Sequence, residues 1–130
     1  MHNATSPDTS DAGVERLIQA KGKTAARVTP ADIEANIESY FYFTAAQAAT
    51  AIDRTIDADS PLHLLTFCVL VLKNGFTVTG ESACASPENF DAEIGRKIAH
   101  QNAVQKIWPL MGYELRSKLA EQGTYEQVAD

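Results

Sequence analysis

The stretch LLTFCVLVLKNGFTVTG, residues 64–80, constrains the fold more than any other part of the chain. Two runs rich in β-branched and aromatic residues flank Asn74-Gly75. Asn-Gly between such runs is the strongest short-range hairpin signal, because a two-residue turn needs positive φ at both positions. Such a turn sets Lys73 opposite Phe76, Val71 opposite Val78 and Val69 opposite Gly80. One sheet face then carries Phe67, Val69, Val71, Phe76 and Val78, and the other carries Cys68, Leu70, Leu72, Thr77 and Thr79. Neither face is polar, so helices or a second copy of the chain must cover this hairpin.

The flanking segments supply helices. Residues 13–27, GVERLIQAKGKTAAR, space Val14, Leu17 and Ile18 as a short helix that Gly22 ends. In VTPADIEANIESYFYF, Thr29 can cap a helix, Pro30 suits its first position and Asp32 places a carboxylate in its first turn. Ile33 and Ile37 lie one turn apart, and Tyr40 to Phe43 then favour extended chain. Residues 45–60 are rich in Ala, Thr and Asp and read either as a helix or as a mobile insertion. In SPENFDAEIGRKIAHQNAVQKIW, Ser86 and Pro87 repeat the capping logic. Phe90, Ile94 and Ile98 form a large apolar stripe, and Gly95, Ala99 and Ala103 form a small one that lets another helix approach closely. Pro109 interrupts this helix, and a last one follows with Tyr113 or Leu115 and Leu119 on its inner side. The expected architecture is α+β: an N-terminal helix, a small antiparallel sheet built on the hairpin (about 62–82) and two C-terminal helices (about 87–107 and 110–122). Residues 1–12 are polar and aperiodic and are expected to be a disordered tail, leaving 13–130 as a single domain.

Bulk properties exclude several roles. No apolar run reaches the roughly 18 residues of a membrane span, and the N-terminus has no basic start and no apolar core, so it is not a signal peptide. A cytoplasmic protein with two reduced thiols, Cys68 and Cys84, is expected. The net charge of −6 argues against DNA or RNA as a partner, though not against a small anion met by a few donors.

Catalysis has little to rest on. Cys84 with His100 is the obvious nucleophile–base pair, but small residues surround Cys84 and nothing marks a third group that would orient His100. Spacing gives no metal site, and no glycine-rich phosphate loop is present, so no metal, cofactor or enzymatic activity is expected. Glu88, Asp91 and Glu93 stand where a helix N-terminus favours negative charge, which explains them without acid–base work. What remains is a set of binding candidates. Phe90 can stack on a planar base or fill the core. Asn102, beside the small-residue stripe, can bond to backbone or to a ligand. Arg96, Lys106 and Arg116 can reach an anion from helices, and Arg27 from beside the Thr29 cap.

Residues 65–116, from LTFCVLVLKNGF to LMGYELR, resemble a family of small bacteriophage early proteins, with support from RVTPADIEANI. NGFTVTGESAC, SPENFD, EIGRKIA and IWPLMGY carry the resemblance in order and spacing. Met111 stands where relatives usually carry an acidic residue, and Glu114 where they carry an apolar one. The family is linked to the Thoeris anti-defence protein 1 group, phage sponges for cyclic nucleotide signals of bacterial immunity. The resemblance implies a homo-oligomer, in the cytoplasm of an infected or lysogenic bacterial host, that sequesters glycocyclic ADP-ribose, with cyclic oligonucleotides as further candidates, without cleaving it. Aromatic, arginine and asparagine contacts in that group point here to Phe90, Arg96, Asn102 and Arg116, with Phe76 and Arg27 beside them. The alternative is a phage protein that inhibits a host protein through an exposed apolar surface.

Overall fold

The computed structural model describes residues 7–53 and 55–123. The fold is α+β, with an N-terminal helix, a three-stranded antiparallel sheet and two C-terminal helices joined as one bent rod. Helix α1 (Asp11–Ala20) is capped by Ser10, whose hydroxyl accepts from the Gly13 amide at 3.0 Å. It thus begins inside the stretch expected to be tail, of which residues 1–6 lie outside the described residues, as do 124–130 at the other end. Helix α2 (Pro30–Ala35) starts on a capping box, Thr29 accepting from the Asp32 amide and Asp32 from the Thr29 amide. It is one and a half turns long, because the aromatic run beyond it enters strand β1 (Ile37–Thr44). The Ala-rich segment is helical as α3 (Ala45–Asp53).

Strands β2 (Leu65–Leu72) and β3 (Thr77–Ala83) form the hairpin, and β1 pairs with β2 to give the order β1-β2-β3. The register differs from the expected one by a single residue. Leu70 faces Val78, Cys68 faces Gly80 and Val71 faces Thr77. The turn has three residues: Leu72 donates to the Phe76 carbonyl and accepts from the Gly75 amide, and only Gly75 needs its φ of 88°. This is the bulged alternative that an Asn-Gly pair also permits. One residue of slip moves every β3 side chain to the other face. Val78 and Phe76 therefore join Cys68, Leu70 and Leu72, while Thr77, Thr79 and Glu81 share a face with Phe67, Val69 and Val71. The open face is apolar on β1 and β2 and polar on β3, not apolar throughout.

Helix α4 (Ala92–Gln105) covers the other face. The core joins Ile33, Cys68, Leu70, Leu72, Val78, Ala99, Ala103 and Ile107. The small-residue stripe does permit close approach, but of the sheet rather than of a second helix. A Cβ on Gly80 would meet the Ala99 carbonyl oxygen and the Ala103 amide nitrogen. The large stripe is consequently not the buried one: Ile94 is 57% and Ile98 43% exposed. Asp91, not Ser86, caps α4, accepting from the Ile94 amide at 2.9 Å. Pro87–Asn89 is a separate 3-10 turn, so Phe90 precedes the helix. Helix α5 (Ile107–Glu121) follows after Lys106 alone. Pro109 cannot donate to the carbonyl one turn back, which places the bend just before it. On α5, Leu115 and Leu119 are half-buried and Tyr113 is exposed.

Replacing Gly80 by alanine forces α4 off the sheet and is expected to destabilise the protein by about 3 kcal/mol in urea unfolding. Gly112→Ala in α5, where a new methyl meets open space, should instead stabilise it by roughly 0.5–1 kcal/mol. Equal effects of the two changes would disprove the close approach.

Candidate functional site

Alternation along β1 sorts its aromatic residues. Tyr40 and Tyr42 share a face with Leu70 and Cys68, under α4, while Phe41 and Phe43 lie with Val69 and Phe67 on the open side. On α4, Arg96 and His100 follow the buried Gly95 and Ala99 by one residue each, so they line the flank of the helix that overlooks β1. Between that flank, β1, α2 and the first residue of α1 runs a groove of about 560 Å³, walled by Tyr42, Glu93, Arg96, Lys97, His100, Glu34 and Asp11. A recess of about 170 Å³ continues it, lined by Tyr42, Thr44, Gln47, Thr66, Phe90 and Arg96. Tyr42 and Arg96 belong to both.

Tyr42 is the fixed point. Its hydroxyl lies 2.8 Å from His100 Nδ1, and its ring centroid is 5.5 Å from that of Tyr40. Burial raises its pKa above the usual phenol value, with Cys68 and Tyr40 adding to the effect and Arg96 opposing it. Cys68 Sγ stands 4.0 Å from the same His100 nitrogen, but burial pushes its pKa to about 11, which keeps the thiol protonated near neutral pH. Cys84 is not engaged by His100 in the bonds His100 makes; its thiol donates to the Ser86 carbonyl at 3.1 Å. Both cysteines are free. Among the described residues no group of three or more His, Cys, Asp or Glu side chains is placed to hold a metal ion. The groove and recess offer aromatic rings, amide and hydroxyl groups, and the cations Arg96 and Lys97 beside the carboxylates Asp11, Glu34 and Glu93.

The six residues singled out from the sequence divide. Phe90 and Arg96 meet at the recess, half-buried and exposed respectively. Asn102 lies on α4's other flank, where its amide donates to the Glu81 carbonyl at 2.8 Å; of the two roles open to it, backbone bonding is the one formed. Phe76 stands beside Leu110 and Met111 at the hairpin end. Arg27 makes two 2.7 Å bonds to Glu15 and thereby ties α1 down. Arg116 is exposed on α5, with an interaction of its own. Tyr42, Thr44, Gln47 and Thr66 were not singled out. The hydroxyl-bearing side of the alternating SYFYFT run was the signal for Tyr42; Gln47 had none, because the reading of residues 45–60 stayed open.

The model of the phage protein (N4 Gp49/phage Sf6 gene 66) family matches residues 28–119, more than two thirds of the chain, from just before α2 to near the end of α5. No curated protein and no solved structure matches. Helix α1 lies ahead of the matched region, yet it supplies Asp11 to the groove.

Helix α1 is held by the Arg27–Glu15 pair and by the bond from the Trp108 indole to Asp11, 3.3 Å long. The bonds from Arg27, then from Gln19, lower the Glu15 pKa from 4.5 to about 2. Because the folded value lies below the ordinary one, the pair's contribution is complete above pH 4.5 and fades as pH falls towards 2. Fluorescence of Trp108, the only tryptophan, should change across that window in the wild type. Arg27→Ala should already show the altered signal at neutral pH. Superimposable titrations of the two proteins would show that α1 is not held by this pair.

Proposed function

We propose a function from one premise: the chain belongs to the phage protein (N4 Gp49/phage Sf6 gene 66) family. In our reading it is an anti-defence protein that binds and sequesters a nucleotide signal of bacterial immunity, glycocyclic ADP-ribose or a cyclic oligonucleotide, and releases it uncleaved. The observation that carries this is the convergence of Phe90 and Arg96 on the recess that Tyr42 links to the larger groove. A base stacked on an aromatic face contributes about 1–3 kcal/mol, and charge-assisted bonds from Arg96 to phosphate about 1.5–3 kcal/mol each. The groove volume falls in the range that small ligands occupy. A chain of net charge −6 must hold an anion through local cations, here Arg96, since Lys97 in the same groove is paired with Glu93 at 3.3 Å. Nanomolar retention corresponds to about −12 kcal/mol, which asks for several such contacts together. Among the described residues no helix is long and apolar enough to cross a membrane.

A second reading is favoured by the open sheet face, where Phe41 is 57% exposed beside the stacked pair Phe43 and Phe67, 5.4 Å apart. That surface suits an inhibitor of a host protein. Calorimetric titration with glycocyclic ADP-ribose and with cyclic oligonucleotides separates the two. The sponge reading expects tight binding of at least one, recovery of the intact nucleotide after heating, and at least tenfold weaker binding by Arg96→Ala and by Phe90→Ala. Recovery of only degraded nucleotide, or no binding of any nucleotide together with stable capture of one host protein, overturns it.

A further inference from the structure

His100 belongs to the groove wall, yet only one of its two ring nitrogens is engaged. The ring is half-buried and held from three directions. The Tyr42 hydroxyl lies 2.8 Å and Cys68 Sγ 4.0 Å from Nδ1, and the Tyr40 ring meets the imidazole edge-on at a centroid distance of 6.2 Å. Among the described residues nothing bonds to Nε2. The two nitrogens of an imidazole point away from each other, and the bond made by one decides which of them carries the hydrogen of the neutral ring. Burial raises the Tyr42 phenol above its ordinary value and the Cys68 thiol to about 11, so both keep their hydrogens near neutral pH. Among the described residues Nδ1 is the one acceptor within reach of either. A hydrogen on Nδ1 would leave both of them facing a third donor, whereas a lone pair there accepts from Tyr42, with the thiol as a weaker second donor.

We infer that His100 is a ligand-binding residue of the groove: its Nε2–H donates to a phosphate oxygen held between it and the Arg96 guanidinium, and Tyr42 is the positioning residue that keeps the hydrogen on Nε2. Arg96 and His100 stand four residues apart on α4 and are therefore neighbours on one flank. Among the described residues Arg96 forms no ion pair. Two of the carboxylates around it are already engaged. Glu93 pairs with Lys97 at 3.3 Å, and Asp11 accepts from the Trp108 indole at 3.3 Å, which leaves Glu34, exposed on α2. A guanidinium beside a neutral N–H suits one phosphate group, because the first supplies charge and the second a directed bond without a second cation to desolvate. The inference rests on the nucleotide reading of the groove and adds to it the seat of the phosphate, on the flank that Arg96 carries from groove to recess.

The first test needs no ligand. Long-range proton–nitrogen NMR at about pH 8, where an ordinary histidine is neutral, should find the His100 hydrogen on Nε2 in the wild type and on both nitrogens in Tyr42→Phe. A hydrogen on Nδ1 in the wild type overturns the inference, and an unchanged tautomer in Tyr42→Phe overturns the role of Tyr42. The second test titrates the protein with inorganic pyrophosphate. The His100 Nε2 signal should shift, and His100→Ala should bind the probe about tenfold more weakly. His100→Gln, whose amide nitrogen reaches the place of Nε2, should restore most of the binding, whereas His100→Asn, whose amide stands at the place of Nδ1, should not. An Nε2 signal that pyrophosphate leaves unmoved, or equal binding by the wild type and His100→Ala, overturns the inference. Should His100→Ala fail to fold by circular dichroism, the Nε2 signal of the wild type decides. The two readings fail separately. If pyrophosphate behaves as expected while glycocyclic ADP-ribose and cyclic oligonucleotides do not bind, the nucleotide reading falls and the phosphate seat stands. If those nucleotides bind His100→Ala as tightly as the wild type while Arg96→Ala weakens them, the role of His100 falls and the nucleotide reading stands.

Discussion

Helix α4 rests on β3 with no side chain between them at Gly80, where only a hydrogen leaves room for the backbone of Ala99 and Ala103. Most of the molecule's layout follows from that contact. A helix brought so near must present its smallest residues to the sheet, and Gly95, Ala99 and Ala103 lie along that line. Gly95 repeats the arrangement one turn earlier over β2, where an added Cβ would stand 3.0 Å from Thr66 Oγ1. The core of a small chain is thereby made from closeness more than from bulk. Cys68, Leu70 and Ile107 are fully buried in a cluster that Ala99 and Ala103 share with Ile33, Leu72 and Val78.

With the small line facing down, the 100° step of a helix distributes the remaining residues of α4 to two flanks. Ile94, Ile98 and Asn102 fall on the β3 side, where the isoleucines stay largely exposed and Asn102 binds the strand's backbone. Arg96 and His100 fall on the β1 side and form the groove with Tyr42. The groove is thus the space left when a thin helix contact covers β2 and β3 but not all of β1. His100 spans part of it, its Nδ1 2.8 Å from the Tyr42 hydroxyl.

The same contact explains what could be read from the amino-acid order and what could not. Capping at Thr29, the extended aromatic run and the existence of the hairpin are local matters, settled by neighbours a few residues away, and all appear in the structure. The hairpin register is not local. Asn74-Gly75 fits a two-residue or a three-residue turn, and the choice depends on which β3 face holds the glycine that α4 requires. Gly80 must face α4, which the three-residue turn achieves by pairing it with Cys68. Likewise, periodicity ranks the isoleucine stripe of α4 as the buried one because it counts apolar area, whereas packing here selected small size. Phe90 and Arg96 were recognisable as residue types, but their meeting depends on Phe90 leaving the helix before Asp91 caps it. The alternation of SYFYFT groups Tyr40 with Tyr42, but that Tyr42 borders a groove depends on how α4 lies across the sheet.

Strand β1 consequently serves three surfaces at once, and this limits how each can vary. Its Tyr42 side chain lines the groove, with Tyr40 on the same face, its phenylalanine side chains face the open side of the sheet, and its outward backbone forms an edge of the sheet. A substitution at Phe41 changes the open face without touching the ring of Tyr42, since neighbours on a strand point to opposite sides. A change in backbone, by contrast, reaches all three, because a shift of register by one residue would exchange the tyrosines for the phenylalanines. The irregularity between Ile37 and Ser39 and the bond pair linking Thr44 with Gln47 bracket the run at its two ends. They hold the register in which hydroxyls, and not bare rings, line the groove. The chemistry of that groove wall is therefore set by the pairing of β1 with β2.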